Sequence, residues 1–305
     1  MSVLKTSQRS ATSGGQEIGR PGPIWAAPAV AYFGLFALFP LAFALWLSFT
    51  KWSGLGSPKF NGLDNWMRLA SDPILFKSIG LTFLFTALAV LVQTPLSLLL
   101  GVWAAGKERS RAVMTAIFFV PLLLSSAAIS VLWRALLDPN FGVPNQFPGL
   151  FGDGNLLGKQ ASAIAVITIV IAWQFIPFYA LIYQGAARSI PQMLYQAALV
   201  DGAGRVRAFF SITLPQLRNT IVTSTILMVV YGLTTFETIL ILTNGGPGTD
   251  TTITAFYMYD KGFRGFEFGY ASAIALVLVV IAAIVSLIMV KVSGYQDMRS
   301  KQEGM

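Results

Sequence analysis

The chain reads Tyr195-Gln196-Ala197-Ala198-Leu199-Val200-Asp201-Gly202-Ala203-Gly204 within a polar, basic, helix-forming segment that ends in Phe209-Phe210-Ser211-Ile212-Thr213-Leu214-Pro215. Long apolar stretches flank this segment on both sides. Of the 305 residues, 55% are hydrophobic and only 11% are charged, and the mean hydropathy is +0.66. Such a composition is typical of an integral membrane protein. The segment is therefore a structured connection between membrane spans.

Charge-free stretches locate the spans, because a hydrocarbon core about 30 Å thick requires about 20 apolar helical residues to cross it. The sequence predicts six spans, at about residues 24–49, 78–105, 112–133, 161–186, 219–243 and 268–291. The fifth span carries one acidic residue, Glu237. Lipid offers no hydrogen-bond partner to an open backbone, so the predicted fold is an all-α integral membrane protein with six transmembrane helices.

The distribution of Lys and Arg predicts the orientation. With the N-terminus inside, the internal segments hold thirteen basic residues against five acids, and the external segments hold eight against seven. Positively charged loops stay on the cytoplasmic side, so both termini are predicted to be cytoplasmic. The basic balance thus follows from membrane topology, and no nucleic-acid partner is needed to account for it.

The predicted organisation follows from these spans. Residues 1–23 form a disordered cytoplasmic tail, residues 24–294 a transmembrane domain with a cytoplasmic loop over 187–218, and residues 295–305 a second cytoplasmic tail. A cleaved signal peptide is the rival interpretation of the N-terminus. The apolar run that starts near Ile24 is longer than the hydrophobic region of a signal peptide.

The composition also excludes chemistry. The chain has no Cys and no His, so it lacks thiolate metal ligands, disulfides and a histidine base. The spacing of a phosphate-binding loop occurs in Gly101-Val102-Trp103-Ala104-Ala105-Gly106-Lys107. The next residue is Glu108, however, where such a loop needs a Ser or Thr hydroxyl to coordinate Mg²⁺. We predict no metal site, no cofactor and no catalysis in this chain.

The polar segment predicts two helices joined by a turn. Ser189 and Gln192 have the spacing of a capping box, with Pro191 in the first turn. The first helix should end at Gly202 or Gly204, where a positive φ carries no steric penalty. Its apolar side is predicted to carry Leu194, Ala197, Ala198 and Leu199, and a second helix is predicted from about Val206 to Leu214-Pro215. A glycine at the tip would let a partner protein approach the backbone closely.

The pattern Gln196-Ala197-Ala198-x-x-Asp201-Gly202-Ala203, with Ile212-x-Leu214-Pro215 beginning ten residues after Gly202, resembles the "EAA" coupling loop of permease subunits in bacterial ABC importers. Gln196 replaces the usual Glu, so a hydrogen bond would replace any ion pair that this Glu makes with the ATPase. The resemblance implies that the ATPase is contacted by Tyr195, Gln196, Ala197, Ala198, Asp201, Gly202, Ala203, Ile212, Leu214 and Pro215.

Further motifs resemble the carbohydrate branch of these permeases, the maltose and glycerol-3-phosphate type. They are Asn61-Gly62-Leu63-Asp64-Asn65-Trp66, Leu132-Trp133-Arg134-Ala135-Leu136-Leu137-Asp138-Pro139, Leu242-Thr243-Asn244-Gly245-Gly246-Pro247-Gly248 and Phe268-Gly269-Tyr270-Ala271-Ser272-Ala273. The resemblance runs from about Ile24 to Lys291. It implies the type I ABC importer permease fold in the bacterial inner membrane.

The resemblance also implies partners. These are a second permease subunit, two cytoplasmic ATPases that bind ATP and Mg²⁺, and an extracytoplasmic sugar-binding protein. The carbohydrate branch favours a heterodimer of permeases, although the sequence leaves open whether the second permease is this chain again. It also leaves the sugar open.

Polar and aromatic side chains at mid-membrane are the candidates for a substrate pathway. Tyr231, Thr234, Thr235 and Thr238 have spacings of three and four residues, which predict one helical stripe. The resemblance adds weight to Tyr231, Gly232 and Thr235 on the fifth span and to Gln174, Phe175 and Phe178 around Pro177 on the fourth. The candidate residues are Ser126, Gln174, Phe175, Phe178, Tyr231, Gly232, Thr235 and Glu237.

Each candidate has a structural alternative. Threonine hydroxyls often bond to their own helix, and aromatic rings near a proline often only fill space. Glu237 could face the cavity at a wet outer mouth, contact the partner subunit, or simply be exposed. For the whole chain, a stand-alone ion-coupled transporter or channel is the second hypothesis. An intramembrane enzyme is a third, but no catalytic pair is evident.

Overall fold

The computed structural model describes residues 23–106, 108–151 and 154–292. The predicted tails over 1–23 and 295–305 lie outside these ranges, apart from Pro23, which begins a 3-10 turn over Pro23–Ala26. The chain divides into two compact units, residues 1–43 and residues 44–305.

The described part of the first unit is helical. Helix α1 covers Ala27–Leu47 with a π-helical turn over Gly34–Leu38, and its last four residues belong to the second unit. Apolar side chains, among them Phe33, Phe36 and Phe39, are exposed along it. A helix of 21 residues that is apolar on all sides is long enough to cross a bilayer.

The second unit is a helical assembly with one short hairpin. The hairpin pairs β1 (Thr50–Lys51) antiparallel with β2 (Lys59–Phe60). The helices that follow are α2 (Asp64–Ser71), α3 (Pro73–Ala104), α4 (Arg109–Phe118), α5 (Ser126–Leu136), α6 (Val143–Gln146), α7 (Pro148–Phe151), α8 (Gln160–Arg188), α9 (Gln192–Val200), α10 (Arg205–Gln216), α11 (Arg218–Thr234), α12 (Glu237–Leu242), α13 (Thr254–Tyr259) and α14 (Phe268–Val292).

The centre of this unit is the packing of α3 against α8, which is its most extensive helix contact, with α11 lying against α3. One buried cluster includes Phe85, Ile129, Ile167, Ile239 and Phe256. Another includes Leu98, Tyr179, Tyr183, Leu217 and Met228. The buried hydroxyls of α3 bond within their own helix, as in the 2.8 Å bonds from Thr82 to the Ser78 carbonyl and from Thr86 to the Thr82 carbonyl.

The predicted third span, 112–133, is divided. Helix α4 ends at Phe118, a 3-10 turn covers Val120–Leu123, and α5 starts at Ser126. Pro121 cannot donate a backbone hydrogen bond, and the Ser125 hydroxyl accepts the Ala128 N–H at 3.2 Å to cap α5. The predicted third span therefore consists of two helices separated at Pro121.

The predicted fifth span, 219–243, is also divided. Helix α11 ends at Thr234, Thr235 is extended (φ −60°, ψ 140°), and α12 begins at Glu237. The prediction that Tyr231, Thr234, Thr235 and Thr238 form one helical stripe was wrong, because Thr234 is exposed whereas Thr235 and Thr238 are buried. At its other end α11 meets α10 at an angle of 67°.

Four helices in the described ranges are long and apolar enough to cross a membrane, namely α1, α3, α8 and α14. The bent pair α10–α11 makes a fifth if it is taken as one span. The protein is thus mostly helical with four to five candidate apolar spans.

Asp72 ties three helices together at one end of the unit. Its Oδ1 accepts the backbone N–H groups of Ile74 at 2.9 Å and Leu75 at 3.3 Å at the start of α3. Its Oδ2 accepts the hydroxyls of Tyr257 on α13 at 2.6 Å and Tyr270 on α14 at 2.5 Å. Burial opposes ionisation of this carboxyl, but the hydrogen bonds outweigh burial and hold the pKa of Asp72 below its usual value of 3.8.

Candidate functional site

The polar segment folds as two short helices, α9 and α10, which we call the elbow (Gln192–Gln216). The predicted capping box is wrong. The Ser189 hydroxyl donates to the Ala186 carbonyl at 2.7 Å, because α8 continues to Arg188 and Ser189 ends that helix instead of starting the next. Pro191 lies just before α9 and supplies no side-chain cap.

The turn of the elbow lies at Gly202, as predicted. Its φ is +73°, a conformation that costs glycine nothing. The Gly202 N–H donates to the Leu199 carbonyl at 3.1 Å, and the Ala203 N–H donates to the Ala198 carbonyl at 2.8 Å. These two bonds form a Schellman motif, which satisfies the last carbonyls of α9. Gly204 has φ −69° and instead precedes α10.

Three of the predicted coupling residues face inward. Tyr195, Ile212 and Leu214 pack against the cluster that contains Tyr183 of α8 and Leu217 at the junction with α11. The Tyr195 and Thr213 hydroxyls lie 2.8 Å apart and join the two arms of the elbow. The elbow is therefore fixed to both membrane helices that flank it.

The remaining predicted coupling residues lie towards solvent. Gln196, Ala197, Asp201, Gly202 and Pro215 are exposed, and Ala198 and Ala203 are half-buried. A groove of ≈ 310 Å³ opens between α9 and α10, and Asp201 and Arg207 place one charge of each sign on it. Its apolar lining consists of Leu194, Ala197, Ala198, Ala203, Ala208 and Ile212.

Apolar side chains stand out from the surface of the elbow. Leu199 is 75% exposed, Val200 89% and Val206 72%. The prediction placed Leu199 on the apolar side of α9, and in the structure this side chain is exposed. Exposed apolar groups concentrated around a turn mark a contact surface for another protein.

Four predicted pathway residues converge at the break between α11 and α12. The Tyr231 ring lies 4.5 Å from the Phe175 ring, centroid to centroid. The Tyr231 hydroxyl lies near the hydroxyls of Ser126 and Thr235. Aromatic faces and hydroxyl groups from α5, α8, α11 and the break thus meet at one place, which we call the Tyr231 cluster (Ser126, Phe175, Tyr231, Thr235). Such a set can stack on a ring face and hydrogen-bond to hydroxyl groups.

The other predicted pathway residues lie around this cluster. Gln174 is buried and donates its side-chain amide to the Leu124 carbonyl at 3.3 Å. Phe178 is partly exposed and packs edge-on against Tyr179 at 5.2 Å, outside the cluster. Glu237 is exposed as the first residue of α12, where a negative charge is favourable.

Gly232 lies at a close approach of α3 and α11. A Cβ atom at this position would stand 2.8 Å from the Thr86 Oγ1 atom. Gly232 therefore allows α3 and α11 to pack closely beside the Tyr231 cluster. In the described ranges, no group of three or more Asp, Glu, His or Cys side chains could hold a metal ion.

Sequence reasoning did not select Gln93 of α3 or Tyr179 of α8. Both line a small cavity together with Tyr231, Gly232 and Thr235. The sequence does mark Gln93 as unusual, since it is the only amide side chain in the charge-free stretch 78–106.

Comparisons with known proteins agree with this architecture. Residues 97–294 match the family of the binding-protein-dependent transport system inner membrane component. The chain is 34% identical over 269 residues to a probable ABC transporter permease of Pyrococcus horikoshii, with 85% of this chain and 91% of that protein covered. It is 31% identical over 263 residues to the multiple sugar-binding transport system permease protein MsmF of Streptococcus mutans, covering 85% and 90%.

A solved structure shares the fold. The crystal structure of a bacterial alginate ABC transporter, in complex with its alginate pentasaccharide-bound periplasmic protein, contains a chain that matches with a TM-score of 0.78 at 23% identity. The match covers 89% of this chain and 93% of that one. The family match favours an ABC permease over a stand-alone transporter. This chain belongs to the family of inner membrane components of binding-protein-dependent transport systems, and it is a permease subunit of an ABC transporter.

Proposed function

We propose that this chain is the transmembrane permease subunit of an ATP-driven sugar importer, and that it forms half of the translocation pathway without catalysing a reaction itself. The names of its relatives support a sugar as the solute, since MsmF belongs to a multiple sugar-binding transport system and the fold relative transports alginate. The Tyr231 cluster supports the same solute class, because it combines aromatic faces with hydroxyl groups inside the membrane.

The proposed topology has six spans with both termini in the cytoplasm. Two of the six spans are formed by pairs of helices. Helices α4 and α5 together would form the third span, and α11 and α12 together the fifth. Broken helices are tolerated at membrane depth where they line a cavity. The break at Thr235 fits this rule, because it adjoins the Tyr231 cluster.

The proposed partners are a second, different permease subunit, two cytoplasmic ATPases that bind ATP and Mg²⁺, and an extracytoplasmic sugar-binding protein. The elbow is the proposed contact for one ATPase, through the groove and through the exposed side chains beside Gly202. The shape and apolar character of this surface are the observations that carry the proposal.

The proposed mechanism is alternating access. Closure of the ATPases would move the elbow as a rigid body, because Tyr195 and Thr213 join its arms and its inner face packs on α8 and α11. The attached helices would then open the pathway outward. Shifting a two-state equilibrium from 1:99 to 99:1 requires about 5.5 kcal/mol of differential binding, which a docking surface together with nucleotide can supply.

A substitution at Gly202 tests the coupling role. No atom lies within 4 Å of a Cβ built at Gly202, so Gly202→Asp places a charged side chain in the space that the partner would occupy. We expect the variant to remain in the membrane, to lose transport and to lose co-purification with the ATPase. Gly56→Asp is the matched control, since Gly56 has φ +69°, is equally open and lies on the hairpin far along the chain. Unchanged sugar-dependent ATP turnover by reconstituted Gly202→Asp complexes would refute the docking role.

A further inference from the structure

A small cavity of ≈ 10 Å³ lies between α3, α8 and α11, beside the Tyr231 cluster. Its lining includes three polar side chains from three helices, Gln93 of α3, Tyr179 of α8 and Tyr231 of α11. Thr235, at the break after α11, lines it as well. A cavity of this size admits one water molecule when it also offers two or more polar partners, and these side chains provide them.

Gln93 differs from the other buried glutamines. Its side chain is 3% exposed, yet it makes no hydrogen bond to any residue within the described ranges. By contrast, the buried amide of Gln174 donates to the Leu124 carbonyl at 3.3 Å, and that of Gln184 donates to the Ala104 carbonyl at 2.7 Å. Among the described residues, the fully buried side-chain atoms without a hydrogen-bond partner belong to Asn61, Trp66, Trp133 and Glu267, and not to Gln93, whose amide instead opens onto the cavity. A polar group that faces a cavity inside a membrane domain usually serves a function.

Tyr179 repeats this pattern across the cavity. Its side chain is 3% exposed and lines the cavity, and no hydrogen bond from its hydroxyl is found among the described residues. Two unpaired polar groups from different helices therefore face the same space. Neighbouring buried hydroxyls in this region are paired, as Tyr183 is with Ser224.

We propose that Gln93 is a further solute-contacting residue of the pathway, and that its amide, together with the Tyr179 hydroxyl, hydrogen-bonds to a hydroxyl group of a polyhydroxylated solute. An amide both donates and accepts, which matches a hydroxyl group that does the same. The cavity is too small for a sugar, so in this conformation the site is closed and holds at most one water. When α11 separates from α3, the same groups line the opened pathway. This inference rests on the proposed function.

The first test compares two substitutions on α3. Gln93→Leu removes both hydrogen-bonding functions at similar volume. We expect the KM for solute uptake by the reconstituted complex to rise about 10-fold, and to rise much more than the maximal rate falls. Ser97→Ala is the control, because Ser97 is also fully buried one turn away but bonds only to its own helix. Equal KM values in Gln93→Leu, Ser97→Ala and wild type would overturn the inference.

The second test does not depend on transport rate. The chain contains no cysteine, so Gln93→Cys introduces the single thiol of this subunit. With the complex arrested in its outward-open state, we expect a small methanethiosulfonate reagent to label this thiol and saturating sugar to slow the labelling at least 5-fold. Labelling at the same rate with and without sugar, or no labelling in any state, would overturn the inference. A wild-type complex that takes up no sugar would contradict the proposed function itself, which separates the two failures.

Discussion

The hydroxyl groups of Tyr195 and Thr213 lie 2.8 Å apart and join the outgoing and returning arms of the elbow. Thr213 is buried, and the Tyr195 ring packs against the cluster that includes Leu217. A contact surface that transmits motion must not deform when it is pushed. This hydrogen bond is one of the interactions that make the elbow stiff.

We therefore expect Tyr195→Phe to weaken coupling while it preserves the fold. The substitution keeps the packed ring and removes a hydrogen bond that stabilises the elbow by about 1 kcal/mol. Sugar uptake per ATP hydrolysed should fall, and thermal stability should fall slightly. Tyr259→Phe is the control, because the Tyr259 hydroxyl makes no hydrogen bond among the described residues. Equal coupling ratios in both variants would show that the bond between Tyr195 and Thr213 is dispensable.

The exposed side chain of Val200 should matter only in the assembled transporter. Val200 is 89% exposed, so Val200→Asp removes almost no packing within this subunit. We expect membrane levels like those of wild type and at least a 10-fold weaker association with the ATPase, measured by co-purification. Leu55→Asp serves as the control, since Leu55 is 85% exposed on the β1–β2 hairpin. Val200→Asp complexes that purify intact would contradict the assignment of this surface.

The approach of α11 to α3 at Gly232 predicts an overpacking effect. A methyl group there would lie 2.8 Å from Thr86 Oγ1 and 3.1 Å from its Cβ and Cγ2. We expect Gly232→Ala to destabilise the protein by about 1–3 kcal/mol, measured as a lower Tm in detergent. Gly80→Ala on α3 should not lower the Tm, because nothing lies within 4 Å of that position.

A second substitution distinguishes local crowding from a general loss of helix packing. Thr86→Ala removes the Oγ1 and Cγ2 atoms that the new methyl group would meet. We expect it to restore part of the Tm lost in Gly232→Ala. A double variant no more stable than the Gly232→Ala single variant would argue against this explanation.

The Asp72 junction predicts a dependence of stability on acid. The folded protein holds the pKa of Asp72 below 3.8, so ionised Asp72 stabilises the fold above that pH. This stabilisation is lost as the pH falls through the lowered pKa. Asp72→Asn should reduce stability at pH 7 by about 1–2 kcal/mol, because hydrogen bonds to a charged group are replaced by weaker ones.

The measurement is the Tm between pH 7 and pH 3. The difference in Tm between wild type and Asp72→Asn should be constant near neutrality and should shrink at the acid end. A difference that stays the same down to pH 3 would show that ionisation of Asp72 is not what ties α3 to Tyr257 and Tyr270.

The features that the sequence predicted well depend on local chemistry. Gly202 ends α9 because only glycine takes its φ of +73° without strain, and this requirement is visible in the residue type. The apolar segments are visible because a charge within lipid is costly. The sequence analysis predicts Ser126, Phe175, Tyr231 and Thr235 as pathway residues, and the structure brings them close together.

The features that it missed depend on tertiary contacts. No proline or glycine marks the break at Thr235 and Phe236, so periodicity predicted one helix through it. The pattern around Ser189 is suited to starting a helix. In the structure α8 extends to Arg188, and Ser189 ends that helix instead. Gln93 could be recognised as unusual, although only the fold shows that its amide lacks a partner. The coupling and pathway roles of all these residues stay predictions until they are tested.

The 67° bend at the junction of α10 and α11 has a mechanical consequence. Helix α11 contains 17 residues and is therefore about 25 Å long. A rotation of about 10° at the end of α11 that adjoins the elbow would carry the distant end sideways by about 4 Å, by simple leverage along that length. Thr235 lies at that end. A displacement at the elbow that is too small to disrupt its own packing would thus become several times larger at the break between α11 and α12.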